Sequence, residues 1–144
     1  MRRALVGIII LIFLFSGCIR EEVFVYEVID GDTFLISTGD RIRLIGIDAP
    51  EKDQPYYLEA KERLSGLLKN KKVTLEKDKE DMDSYGRLLR YVYADDVFVT
   101  LELIEEGYAR VIIIHPNSKY ESELKKAEYK AKESELGIWF KYSS

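Results

Sequence analysis

From Val23 onward the apolar positions of the chain first alternate and later recur at helical spacing. Val23 to Val28 interleaves aromatic and β-branched residues with others, the period of a strand with one buried face. Asp30–Gly31–Asp32 is a turn signal, and "TFLIS" after it predicts a second strand. Thr38–Gly39–Asp40 turns the chain into a third, "RIRLIGI" at Arg41–Ile47. Pro50 and Pro55 bracket a loop. The period then lengthens: Tyr57, Ala60, Leu64, Leu67 and Leu68 share one face of a first helix. Lys71–Lys77 predicts a fourth strand, and Arg87–Ala94 with Val97–Val99, turned at Asp95–Asp96, a fifth. Thr100 is a candidate N-cap for a short second helix that stops at Gly107. Tyr108–Ile114 is a further extended piece. A third helix is predicted from Asn117 to its end at Gly137, with Leu124, Ala127 and Ala131 inward and Trp139 packing back.

Three strands, a helix, two strands and two helices fit an α+β fold. The short strands suit a small five-stranded Greek-key barrel of the OB type with three helices. The residues from Val23 to Ser144 read as one domain without an internal linker or repeat. The chain has 144 residues, 33% of them charged, and a formal net charge of -4. That sign excludes general adhesion to nucleic acid through excess positive charge. A polyanion partner needs a local basic site or a bridging cation.

The first residues differ in kind. Arg2 and Arg3 precede an apolar run of 12 residues, Ala4–Phe15. A membrane-spanning helix needs ~20 such residues, and a signal-peptide core roughly 7–15. The following "FSGC", Phe15–Cys18, resembles the lipobox of exported lipoproteins. The expectation is a lipoprotein signal over residues 1–17, a lipid on Cys18, and a short tether over residues 18–22. An uncleaved anchor or an ordinary secretion signal is the alternative. Either places the body outside the cytoplasm, at the membrane or secreted. Cys18 is the only cysteine, so no intramolecular disulfide contributes. Without residues 1–17 there remain 20 basic and 26 acidic residues, a net charge of -6.

The acids at the strand ends carry the chemistry. Asp30, Asp32, Asp48 and Glu51 each suit a turn when taken singly. Together they place Asp32 and Asp48 on neighbouring segments, where they repel unless a cation lies between them. Oxygen donors favour Ca²⁺ or Mg²⁺ over softer-ligand metals. Arg43 and Arg87 carry planar forks suited to phosphate oxygens. Fixed cations aimed at a phosphodiester under attack favour its transition state, and Glu51 is placed to take a proton from water. One conflict stands. On a regular strand Arg43 and Asp48 point to opposite faces, so the strand must bulge or end between them, with Gly46 the candidate.

These residues carry a resemblance. "IDGDT" at Ile29–Thr33, "RLIGIDAPE" at Arg43–Glu51 and "DSYGRLLRYVYADD" at Asp83–Asp96 resemble the staphylococcal (micrococcal) nuclease family, or thermonucleases. So do "VTLELIEEGYARV" at Val99–Val111 and "ELGIW" at Glu135–Trp139. The resemblance spans nearly all of Val23–Phe140. It implies an OB barrel with three helices and Ca²⁺-dependent endonuclease cleavage of DNA and RNA to 3′-phosphate ends. By the same resemblance, Asp32, Asp48 and the backbone carbonyl of Ala49 are calcium ligands, and Asp30 is an acid just behind them. Glu51 corresponds to the residue assigned to water, and Arg43 and Arg87 to the phosphate-clamping arginines. Tyr85 corresponds to a tyrosine that bonds a substrate phosphate, and Leu89 to a lining residue of the nucleotide pocket.

Two departures concern the substrate. Ser84 stands where the staphylococcal enzyme has lysine. The family's pocket tyrosines fall in Val111–Ile114, leaving Tyr56 and Tyr57 as candidate aromatics. His115, the single histidine, reads as structural or solvent-facing. The expected protein is a monomer acting on DNA and RNA. The rival readings are a non-catalytic OB module that binds nucleic acid or protein, and an envelope protein that keeps its ion for stability.

Overall fold

A computed structural model of the protein describes residues 20–140. The expected signal over residues 1–17 and Cys18 lie outside the described residues. Eight strands and three α-helices follow one another as β1 (Glu21–Val28), β2 (Thr33–Ile36), β3 (Arg41–Leu44), β4 (Ile47–Asp48), α1 (Tyr57–Leu68), β5 (Lys72–Glu76), β6 (Leu88–Ala94), β7 (Val97–Phe98), α2 (Val99–Glu105), β8 (Arg110–Val111) and α3 (Glu121–Glu133), with a 3₁₀ turn at Gly137–Trp139. Glu21 and Glu22, expected in the tether, already pair with Leu75 and Thr74.

Strand order β3-β2-β1-β5-β6 is antiparallel throughout, and a parallel pairing of β3 with β6 closes the sheet on itself. The result is the five-stranded OB-type barrel with three helices that the pattern predicts. Alternation puts Phe34 and Ile36 of β2, Ile42 and Leu44 of β3, and Val73 and Leu75 of β5 inside. Leu64 and Leu68 of α1, Leu103 and Ile104 of α2, and Leu124 of α3 join the same core. Each such side chain contributes about 1.5–3 kcal/mol on full burial.

The third strand breaks where the parity of Arg43 and Asp48 requires: it stops at Leu44 and resumes at Ile47. Three details differ from the expectation. Thr100 is not a cap but lies inside α2, fully buried, and Phe98 takes the N-cap position. The reason is that α2 follows β7 without a loop, so Thr100 falls on the core face. The third helix begins at Glu121, not Asn117, because the Asn117 side chain is engaged elsewhere: its Oδ1 accepts the N–H groups of Lys79 and Glu80. The same helix ends at Glu133 rather than Gly137. Its C-terminal residue in left-handed conformation is Glu135, at φ 51°. Gly137, also left-handed at φ 52°, lies beyond the helix and packs backbone to backbone against Gly107, whose carbonyl accepts the Ile138 N–H at 2.9 Å.

Candidate active site

The site forms where β2, β3 and β6 meet the break in the third strand. Asp32 sits immediately before β2, and its backbone carbonyl accepts the Leu44 N–H at 2.9 Å. Its buried carboxylate accepts the Thr33 hydroxyl on one oxygen and the Ala49 N–H on the other, both at 2.9 Å. Asp32 therefore fixes the segment that carries Asp48. Gly31 permits the close approach: a Cβ there would lie 2.7 Å from that of Ala49 and 2.9 Å from that of Ala60 on α1. Its role is tight packing as well as the turn read from "DGD".

Gly46 resolves the parity conflict. It adopts φ 88°, a left-handed conformation that favours glycine, and a Cβ would come 2.5 Å from Leu124 Cδ1. The chain therefore leaves β3 at Leu44, passes Ile45 and Gly46, and re-enters as β4. There Asp48 pairs with Arg110 of β8. With the strand broken, Arg43 Nη2 lies 3.3 Å from Asp32 Oδ2 and 3.6 Å from Asp48 Oδ1. The two carboxylates touch one nitrogen, so both belong to one site. Arg43 Nη1 donates to the Leu44 carbonyl at 2.7 Å, which anchors the guanidinium from its other branch.

Parallel pairing of β3 with β6 sets Arg43 opposite Leu89. This brings the loop before β6 to the same place. A groove of about 330 Å³ runs between them, lined among others by Arg43, Arg87, Tyr85 and Leu89. Both arginines thus face one cleft. Arg87 donates its Nε–H to Asp83 Oδ2 at 2.7 Å, and its guanidinium lies 5.3 Å from the centre of the exposed Tyr85 ring. Burial pushes the Asp83 carboxyl up, but the N–H groups of Arg87 and Tyr85 outweigh it and hold it below its ordinary value. Ile112 and Ile114, both exposed, complete an apolar side of the groove. Aliphatic side chains thus line the groove in the stretch where the family's pocket tyrosines fall.

The remaining predicted residues occupy distinct places. Asp30 caps the turn, its Oδ1 accepting the Asp32 N–H at 3.1 Å. Burial, and then the neighbouring Asp32, push its carboxyl up to about 6. Glu51 is exposed beyond Pro50, in a turn closed by its N–H donating to Gln54 Oε1 at 2.8 Å. Among the described residues it forms no ion pair. Tyr56 and Tyr57 are half-buried at the start of α1, outside the groove lining. His115 is exposed. Asp83 and Asn117, both at the groove, carry roles the sequence reading did not assign.

The Asp32 and Asp48 carboxylates flank a single guanidinium, and the Asp30 carboxylate adjoins them through the Asp32 N–H that it accepts. All donors are hard oxygens and the cluster holds an excess of negative charge, which suits a divalent cation of the Ca²⁺ type. Among the described residues, no three acidic or histidine side chains form a complete metal-binding group. An ion held by Asp32 and Asp48 therefore needs further oxygens from backbone, water or substrate, and a carbonyl such as that of Ala49 fits that requirement.

An OB-type barrel with paired acids and paired arginines at one rim, beside an apolar-walled groove, defines a class: proteins built to handle phosphodiesters. The family described as "Staphylococcal nuclease homologue" matches residues 41–141, and the chain belongs to it. It is 39% identical over 128 residues to a thermonuclease of Staphylococcus intermedius, covering 83% of this chain and 76% of that protein. It is 37% identical over 124 residues to a thermonuclease of Staphylococcus hyicus, covering 80% of this chain and 73% of the relative. To the SPbeta prophage-derived endonuclease YokF of Bacillus subtilis it is 42% identical over 124 residues, which is 78% of this chain but only 42% of the longer relative.

Proposed function

We propose that the protein is a Ca²⁺-dependent endonuclease that hydrolyses phosphodiester bonds of DNA and RNA and leaves 3′-phosphate ends. Phosphodiester hydrolysis follows from the family to which the chain belongs. The metal and the product ends rest on the resemblance of its site. One observation carries the reading: Arg43 lies between Asp32 and Asp48 at the rim of a groove that also holds Arg87.

In this reading Asp32, Asp48 and the Ala49 carbonyl hold the cation, with Asp30 behind them. A bound Ca²⁺ supplies charge that offsets the phosphate and polarises its oxygens. Arg43 and Arg87 bind the equatorial oxygens of the phosphate and gain strength as charge develops there. Glu51 accepts the proton of the attacking water, its exposed position leaving it free to turn toward the rim. Tyr85 donates its hydroxyl to a phosphate, and Leu89 with Ile112 and Ile114 packs against a base. An aliphatic wall gives less stacking energy than an aromatic one, so single strands with weakly held bases suit the groove. A lipid on Cys18 places the enzyme at the outer face of a membrane, as a monomer.

The test is direct. The protein is incubated with DNA and with RNA in the presence of calcium, of magnesium and of chelator, and product ends are identified by their susceptibility to phosphatase and kinase. Cutting with calcium alone, to 3′-phosphates, is expected. Glu51→Gln lowers kcat by about 100-fold or more. Cutting at the same rate in chelator, or an unaltered Glu51→Gln, removes the cation or the glutamate from the scheme.

A further inference from the structure

We propose that Asp83 is a positioning residue for Arg87, setting which edge of that guanidinium meets the substrate. The proposal rests on the reading of Arg87 as a phosphate-binding residue.

The loop before β6 is organised around one carboxylate. Asp83 Oδ1 accepts the backbone N–H groups of Tyr85, at 2.9 Å, and of Arg87, at 3.0 Å. Its other oxygen, Oδ2, accepts the Arg87 Nε–H at 2.7 Å. The backbone closes the same circuit, with the Asp83 N–H donating to the Arg87 carbonyl at 3.0 Å and the Gly86 N–H to the Asp83 carbonyl at 3.1 Å. Asp83 and Arg87 both line the groove. The carboxylate thus holds the arginine at its backbone and at the base of its fork.

A guanidinium carries five N–H donors in one plane. With Nε–H committed to Asp83, the remaining four lie on the two Nη atoms. A phosphate can then be gripped in pairs only end-on, across Nη1 and Nη2. The side-on grip through Nε and one Nη is closed. Arg43 is held differently, through Nη1 to a backbone carbonyl and Nη2 beside the acids. The two arginines therefore approach a phosphate with different edges.

The arrangement has an electrostatic cost, because an acid beside a phosphate-binding arginine repels the ligand. Charge and position thus predict opposite outcomes. If Asp83 acted only through its charge, removing that charge would tighten substrate binding and leave turnover unchanged or higher. If it positions Arg87, the loss falls on turnover, because small misplacements of a binding group are costly in the transition state.

Asp83→Asn separates the two. An amide oxygen still accepts the two backbone N–H groups, so the loop keeps its shape. The amide nitrogen cannot accept the Arg87 Nε–H. In steady-state cleavage with calcium, Asp83→Asn is expected to lower kcat by about 10- to 100-fold with KM changed less than about threefold. In an Arg87→Ala background the same change is expected to have no further effect, within about twofold. Independently of cleavage, the Arg87 Nε–H proton, followed by NMR, exchanges slowly in wild type and fast in Asp83→Asn. Unchanged kcat in Asp83→Asn, an equal loss in the Arg87→Ala background, or equal Nε–H exchange in the two proteins overturns the proposal. A wild-type protein that cuts neither DNA nor RNA fails the nuclease reading instead, and the exchange measurement still decides whether Asp83 holds Arg87.

Discussion

Gly46→Ala tests whether the broken third strand makes the site. Gly46 has φ 88°, and a Cβ at this position would stand 2.5 Å from Leu124 Cδ1, in a side chain with no solvent exposure. The left-handed conformation costs an L-residue about 1–2 kcal/mol. Overpacking against a core leucine adds about 1–3 kcal/mol. Together they remove about 2–5 kcal/mol from a total that for domains of this kind is about 5–15 kcal/mol. Gly39→Ala is the control: φ there is 93°, but no atom lies within 4 Å of the added carbon. It should cost only the conformational part. Urea unfolding of the two variants at fixed calcium, followed by tryptophan fluorescence, gives the difference, expected at about 1–3 kcal/mol. Cleavage corrected for folded fraction should fall further in Gly46→Ala, because relief of the contact displaces Asp48 from Arg43. Two variants within about 0.5 kcal/mol of each other, with full activity in Gly46→Ala, would show that the break neither packs against Leu124 nor positions Asp48.

Further expectations follow from single contacts. Asp32→Ala should weaken calcium binding at least tenfold by calorimetry, and should destabilise the apo-protein by about 1–3 kcal/mol because the Ala49 N–H loses its buried acceptor. An unchanged titration would remove Asp32 from the ligands. Asp83, held below its ordinary value of 3.8, contributes stability that is whole above that value. The contribution disappears as pH falls below it toward the folded value, since the unfolded state then binds the proton first. The gap in urea midpoint between wild type and Asp83→Asn should therefore be widest near neutrality and narrow in acid. A gap that widens in acid contradicts the sign. Full-length protein should pellet with membranes and Cys18→Ser should not; equal pelleting would assign the attachment to the apolar run itself.

Much of the fold is legible because the strands are half-buried and alternate cleanly. Phe34 and Ile36, or Val73 and Leu75, announce both the strand and its inner face. The strand break is legible too, through a contradiction: Arg43 and Asp48 cannot share a site on a regular strand. What the sequence hides depends on distant partners. Glu135 adopts a left-handed conformation beside the close packing of Gly107 and Gly137, a contact between residues 30 positions apart. Asn117 reads as the first residue of the third helix until the loop at Lys79–Glu80 takes its side-chain oxygen. Asp83 is different, because its bond to the Tyr85 N–H is a local turn of a kind aspartate favours. That signal was available in "DSYG", whereas the second bond to Arg87 Nε requires the folded loop.

The pairing of β4 with β8 ties Asp48 to Arg110, and Glu128 of α3 in turn accepts the Val111 N–H. A nascent chain halted before α3 carries every side chain of the site and the β4–β8 pairing that ties Asp48 to Arg110, yet lacks Glu128, the α3 carboxylate that accepts the Val111 N–H. Docking of α3 thus adds the closing bond to the strand pair that seats Asp48.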